Sequence, residues 1–138
     1  MSALVREAAA ADREAVVALW RACGLTRPWN DPDADFDLAV RSPGAAVLVS
    51  GEPTSGAVMV GFDGHRGWIY YLAVDPARRR SGLGRILMAA AEGWLRDRDA
   101  PKLQLMVRAD NAEALGFYEA LGLETQAVNV LGRRLDGR

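Results

Sequence analysis

The sequence predicts an α/β fold, a mixed sheet with helices on both faces, and three observations carry that expectation. Apolar β-rich segments and amphipathic segments alternate as β-α-α-β-β-β-α-β-α-β, which joins a hairpin to strand–helix–strand crossovers. An apolar strand ends at Asp75 and Pro76, a basic turn of Arg78, Arg79 and Arg80 follows, and Gly82 and Gly84 open an amphipathic helix. The chain has 138 residues, 50% hydrophobic and 25% charged, the proportions of one soluble globular domain with a single core.

The elements follow in order. Residues 3–7 read as a short first strand. Asp12 is placed to cap a helix running to about Ala22, with Val16, Leu19, Trp20 and Cys23 at helical spacing and Gly24 as its stop. Pro28 and Pro32 stiffen a turn-rich segment from Leu25 on. A second helix spans residues 33–41, its positive end matched by Asp33, Asp35 and Asp37, and Ser42, Pro43 and Gly44 end it. Residues 45–50 and 57–62 form a hairpin around a turn at 51–56. After a turn at 63–67, residues 68–74 make a third, mostly apolar strand of central character. A helix from Gly82 to about Arg98 presents Leu83, Ile86, Leu87, Ala90, Trp94 and Leu95 on one broad face. A strand at 102–107, a helix at 111–121 closed by Gly122, and a tail strand around 128–135 complete the chain.

The turn between the third of these strands and its helix has a chemistry of its own. A glycine-opened helix start aims unpaired backbone N–H groups and the positive end of the helix dipole at one point, and three arginines add charge of the same sign. A pyrophosphate fits such a point. A tight turn with solvated arginines is the plainer reading of the same residues. A third glycine is missing, so the dinucleotide fingerprint is not present, and neither is the Gly-Lys-Ser/Thr of nucleoside triphosphatases. A net charge of −1 argues against a general nucleic-acid binder. Cys23 and His65 are the only cysteine and histidine, so an internal disulfide and a Cys/His metal site are both ruled out. No apolar run reaches the length of a membrane span and the start does not read as a signal peptide, so a cytoplasmic location is expected.

In its residues the chain resembles the GCN5-related N-acetyltransferases (GNAT) over nearly its whole length. Arg79-Arg80-Ser81-Gly82-Leu83-Gly84 is similar to that family's Gln/Arg-x-x-Gly-x-Gly/Ala loop. Leu72-Ala73-Val74-Asp75-Pro76 precedes it, and Asn111 with Phe117-Tyr118-Glu119-Ala120-Leu121-Gly122 falls where the family has its second signature. Arg27 to Pro32, Asp63 to Gly67 and Tyr70-Tyr71-Leu72 resemble, more narrowly, the YpeA-like bacterial acetyltransferases. The resemblance implies the acyl-CoA N-acyltransferase fold, with a mostly antiparallel sheet splayed into a V between two parallel strands, residues 68–74 and 102–107. It implies acetyl-CoA as cosubstrate, a primary amine of a small molecule, peptide or protein as acceptor, and direct transfer. It further implies that the amides of Arg79, Arg80, Ser81, Gly82, Leu83 and Gly84 hold the pyrophosphate. Leu72, Ala73 and Val74 would meet the pantetheine arm, with Asn111 on its other side and the Tyr118 hydroxyl aimed at the sulfur.

Acetyl transfer needs a neutral amine, a polarised carbonyl and a proton for the leaving thiolate. A phenol of pKa near 10 suits the last task, which falls to Tyr118; a core aromatic is the alternative reading of that residue. Asn111 reads equally as an N-cap. The family's customary carboxylates are replaced by Tyr70 and Met106, so no general base is assigned. A water relay through Tyr70 or Asp63 and an amine deprotonated by solvent are the two routes left. Arg27, Trp29, Asn30, Asp31 and Arg66 sit in loops expected to border the acceptor. His65, in a Gly-flanked turn, reads as a turn histidine or an acceptor-side group. The acids at 31–37 favour a cationic acceptor or serve as helix-start charges; Arg27 and Arg66 favour a carboxylate-bearing one. A non-catalytic acetyl-CoA sensor is the rival from another class. A monomer and a homodimer paired through the tail strand are both compatible with the sequence.

Overall fold

The computed structural model describes residues 4–137, which form two compact units, one reaching to Met106 and one beginning at Val107. Ala3, expected in the first strand, lies outside the described residues.

The first unit is a five-stranded sheet in the order β1-β2-β3-β4-β5, made of β1 (Val5–Glu7), β2 (Ala45–Ser50), β3 (Gly56–Phe62), β4 (Gly67–Val74) and β5 (Leu103–Leu105). The first three pairings are antiparallel; β4 and β5 run parallel, as their crossover helix requires. That helix is α3 (Leu83–Arg96), which packs on one face of the sheet; α1 (Arg13–Ala22) and α2 (Pro32–Arg41) pack on the other.

Strand alternation divides the two faces. Val47, Val49, Ala57 and Ala73 meet Val16, Val17, Trp20, Phe36 and Ala39 in one buried cluster. The opposite pleats carry Leu48, Val58, Val60 and Ile69 toward α3, all buried. Gly56 and Gly67 let α3 approach this face closely: a Cβ at Gly56 would lie 2.8 Å from a Leu87 methyl, and one at Gly67 2.5 Å from a Leu95 methyl. In α3 the buried stripe is Leu83, Leu87, Met88, Ala91, Trp94 and Leu95, rotated slightly from the expected one, since Ile86 and Ala90 are only half-buried.

Local chemistry explains most element ends. The Asp31 carboxylate caps α2 by accepting the Ala34 N–H at 3.1 Å, and Pro32 takes the first helical position. Asp12 does not cap α1. Its carboxylate turns back to the Ala9 N–H at 2.8 Å and to the Arg6 guanidinium, tying β1 to the 3₁₀ turn Ala10–Asp12.

The second unit contains α4 (Ala112–Ala120), capped by the Asn111 side chain, which accepts the Ala114 N–H at 3.0 Å. The expected tail strand is not formed: residues 128–135 are irregular, with Val128, Val130, Leu131 and Leu135 exposed.

Candidate active site

Strand β4 organises the first unit's site. It pairs with β5 only through Gly67, Trp68 and Ile69, and β5 ends at Leu105 while β4 runs on to Val74. The sheet therefore opens as a V along residues 70–74. Ala73 pairs with Ala57, and the Asp75 N–H donates to the Ser55 carbonyl at 2.8 Å. Alternation turns the backbone groups of Val74, and of Leu72 one pleat earlier, to the open edge. One of these is already engaged, because the Cys23 thiol donates to the Val74 carbonyl at 3.2 Å. The Val74 N–H faces the same way.

A bulge interrupts β4 just before this edge. Tyr71 and Leu72 together oppose Val58, and Tyr71 takes φ +54°, a left-handed conformation that costs a non-glycine residue about 1–3 kcal/mol. Its side chain offsets that cost. The ring stacks on buried Trp20, centroids 3.9 Å apart and planes 10° from parallel, and the hydroxyl donates to Asp35 Oδ2 at 2.7 Å. Burial first, then the Asp35 hydrogen bond and charge, push the Tyr71 phenol well above its ordinary pKa, so it stays a donor.

Tyr71 closes one wall of a pocket of about 550 Å³ under α2, bordered also by Tyr70, Met59, Leu38, Asn30 and Asp35. Of the residues expected on the acceptor side, the structure brings Asn30 and Tyr70 to this pocket. Asp31 caps α2 instead. The Arg27 guanidinium donates to the Gly24 and Thr26 carbonyls, at 2.7 and 2.9 Å, closing the end of α1. Trp29 is half-exposed in the same loop. Asp63, His65 and Arg66 stand in the turn before β4, about 23 Å from Val74 by strand rise. There the Asp63 carboxylate accepts the Arg66 and His65 N–H groups, at 2.7 and 2.8 Å, which hold its pKa below the ordinary value and make it a poor base. Burial and the Asp63 charge raise the Tyr70 phenol, so it too keeps its proton.

Beyond the other end of β4 lies the glycine loop. Asp75 caps the 3₁₀ turn Pro76–Arg78 through the Ala77 N–H at 2.9 Å. Arg80 and Gly82 then take φ +64° and +85°, and Gly82 becomes the N-cap of α3. The first bond into the helix runs from the Ile86 N–H to the Gly82 carbonyl, so the N–H groups of Leu83, Gly84 and Arg85 precede the ladder and need an outside partner. A Cβ built on Gly82 meets nothing within 4 Å. Packing does not demand this glycine; its backbone conformation and the open space before the helix do. Arg78, Arg79 and Arg80 are exposed, none in an ion pair among the described residues, and the Ser81 hydroxyl donates to the Arg78 carbonyl. The donor set fits a pyrophosphate: free amides, a helix dipole and three guanidinium groups around a point no side chain fills.

In the second unit, Tyr118 is half-buried on α4, its ring edge-on to Phe117 at 5.2 Å, and burial raises its pKa above the ordinary 10.0. The phenol therefore holds its proton at neutral pH. The Asn111 side-chain oxygen is engaged as a cap.

Asp35 and Tyr71 are the site residues that sequence reasoning missed. Asp33 and Asp37, four apart, share one helix face, which left Asp35 on the other; that spacing was the available signal.

Comparison with known proteins agrees with this geometry. The family model described as acetyltransferase (GNAT) family matches residues 13–123 and so runs across both units. An acetyltransferase of Yersinia pestis is 44% identical over 126 residues, covering 90% of this chain and 89% of that protein. One from Pectobacterium atrosepticum is 45% identical over 127 residues, with the same coverage. Among solved structures, AAC(6')-Iy in complex with the bisubstrate analogue CoA-S-monomethyl-acetylneamine superposes with a TM-score of 0.81 at 15% identity, over 97% of this chain and 99% of that one, a likeness of fold. By family model and by relatives alike, the chain belongs to the acetyltransferase (GNAT) family.

Proposed function

We propose that this acetyl-CoA-dependent N-acetyltransferase holds the coenzyme's pyrophosphate on Arg79, Arg80, Ser81, Gly82, Leu83 and Gly84 and performs direct transfer at the open edge of β4. The observation that carries the reading is the loop itself: amides of Leu83, Gly84 and Arg85 without helical partners, opening on the empty space at Gly82. When bound, acetyl-CoA supplies the acetyl group already activated as a thioester. Leu72 and Val74 present main-chain groups to the arm, strand-fashion, and the Val74 N–H is the donor assigned to the carbonyl oxygen. Asn111 contacts the arm. Tyr118 is the acid assigned to the sulfur, and its raised pKa keeps it charged with a proton for that step.

The acceptor nitrogen arrives neutral, its proton lost to solvent. Tyr70 and Tyr71 hold their protons and Asp63 is too weak a base, so the side chains described above offer no strong base of their own. Both units serve one acetyltransferase domain in this reading, and the protein works in the bacterial cytoplasm on an amine of a small molecule or peptide. No helix among the described residues is long and apolar enough to cross a membrane. Nucleic acid is not a partner on the reading of net charge. Sedimentation decides between a monomer and a homodimer joined through residues 128–135.

Thiol release from acetyl-CoA, measured against a panel of amines, tests the activity: acceptor-dependent release is expected. Tight coenzyme binding with no release from any acceptor would favour the sensor, to which the absence of carboxylates at Tyr70 and Met106 lends its one specific support.

A further inference from the structure

The four aspartates at the start of α2 are sorted by geometry. Asp31 caps the helix. Asp33 and Asp37 meet Arg13, at 3.8 and 2.9 Å. Asp35, about 200° round the helix from Asp33, looks toward the sheet and is the charged group in the 550 Å³ pocket. Its Oδ2 accepts the Tyr71 hydroxyl, and no cation among the described residues pairs with it. Tyr71 is itself held against Trp20, so the carboxylate is fixed in place, half-buried among Leu38, Met59 and two tyrosine rings. A carboxylate in that setting favours a cation on its remaining oxygen, and the rings favour an apolar body beside it. The arginines that would have attracted a carboxylate stand elsewhere, Arg27 on two main-chain carbonyls and Arg66 in the turn before β4.

A nitrogen bound to Asp35 as ammonium has no lone pair and cannot be the one acetylated. Tyr71 precedes Val74 by about 10 Å of strand, so one extended molecule can reach from the pocket to the open edge. We propose that the acceptor carries two amino groups on an apolar spacer, one docked as ammonium on Asp35, the other delivered neutral to the edge at Leu72 and Val74. The delivery step rests on the coenzyme assignment above; the docking step does not.

Three probes that differ only at the far end separate the cases: 1,5-diaminopentane, 1-aminohexane and 6-aminohexanoate. Each is titrated calorimetrically into the protein with and without coenzyme A, and each is offered with acetyl-CoA in the thiol-release assay. The diamine is expected to show a Kd and KM at least about tenfold below the other two. Asp35→Asn, which keeps an acceptor for the Tyr71 hydroxyl, is expected to raise both about tenfold for the diamine and leave 1-aminohexane unchanged. Asp33→Asn is expected to change none of them. Should Asp35→Asn unfold, Ser42→Lys places a cation at the pocket rim and is expected to weaken the diamine and favour the aminohexanoate. A diamine that binds no better than 1-aminohexane, or an Asp35→Asn protein with unchanged diamine affinity, would overturn the proposal. Diamine binding that depends on Asp35 in a protein that does not bind coenzyme A would instead overturn the pyrophosphate assignment and leave the pocket standing.

Discussion

Tyr118 and Gly82 were both legible in the sequence because their chemistry is local: a phenol and a glycine turn, each inside a contiguous signature. The structure adds a protonation state to the first. Burial raises the Tyr118 pKa above 10.0, so the acid form persists throughout the neutral range. Tyr118→Phe is expected to lower kcat by about 10²-fold, the scale of a lost general acid, with acetyl-CoA affinity unchanged. The wild-type pH profile should show no fall in kcat from phenol ionisation below about pH 10; a fall setting in near pH 8 that the variant lacks would contradict the assignment. Asp35 was not legible as a site residue. Its spacing separates it from Asp33 and Asp37, but nothing local says which helix face turns inward, and Tyr71 reaches it across 36 positions of sequence.

At the scale of elements, the periodic segments were legible and their ends less so. Strand β4 kept its place, but its bulge at Tyr71 was hidden, because one extra residue leaves the apolar run intact. The tail strand failed for a different reason. Gly132, Arg133 and Arg134 break its alternation, and a strand needs a neighbouring edge that sequence cannot supply. Asp12 was expected to cap α1 and instead binds Arg6, which, with the Ala9 N–H, lowers its pKa from 3.8 to about 2. A depressed folded pKa stabilises above the unfolded value, and that stabilisation is lost as pH falls from about 4 to about 2. For an exposed pair it amounts to about 0.5 kcal/mol. Urea unfolding of Asp12→Asn should therefore show lower stability at pH 7 and a shallower loss between pH 4 and 2 than wild type. Close packing of α3 on β4 makes a second test. Gly67→Ala puts a Cβ against buried Leu95 and should cost about 1–3 kcal/mol, with Leu95→Val recovering part of it in a double-mutant cycle.

Across the first unit as a whole, one strand carries three functions in series. The acceptor pocket lies beside Tyr70 and Tyr71, the open edge follows at Leu72 and Val74, and the glycine loop begins one turn later. That order of binding surfaces follows from a parallel pair that separates after three residues, a feature the strand lengths alone did not announce. The central claim is that the loop before α3 holds the coenzyme. Calorimetric titration of acetyl-CoA into wild type and Gly82→Glu tests it most directly, with thermal unfolding alongside to show that both are folded. The left-handed conformation at position 82 costs a glutamate about 1–2 kcal/mol, so the variant should melt a few degrees lower and remain native. Saturable binding of one acetyl-CoA per wild-type chain, weakened at least about 100-fold in Gly82→Glu, is the predicted result. No binding to wild type, or equal affinity in the folded variant, would contradict it.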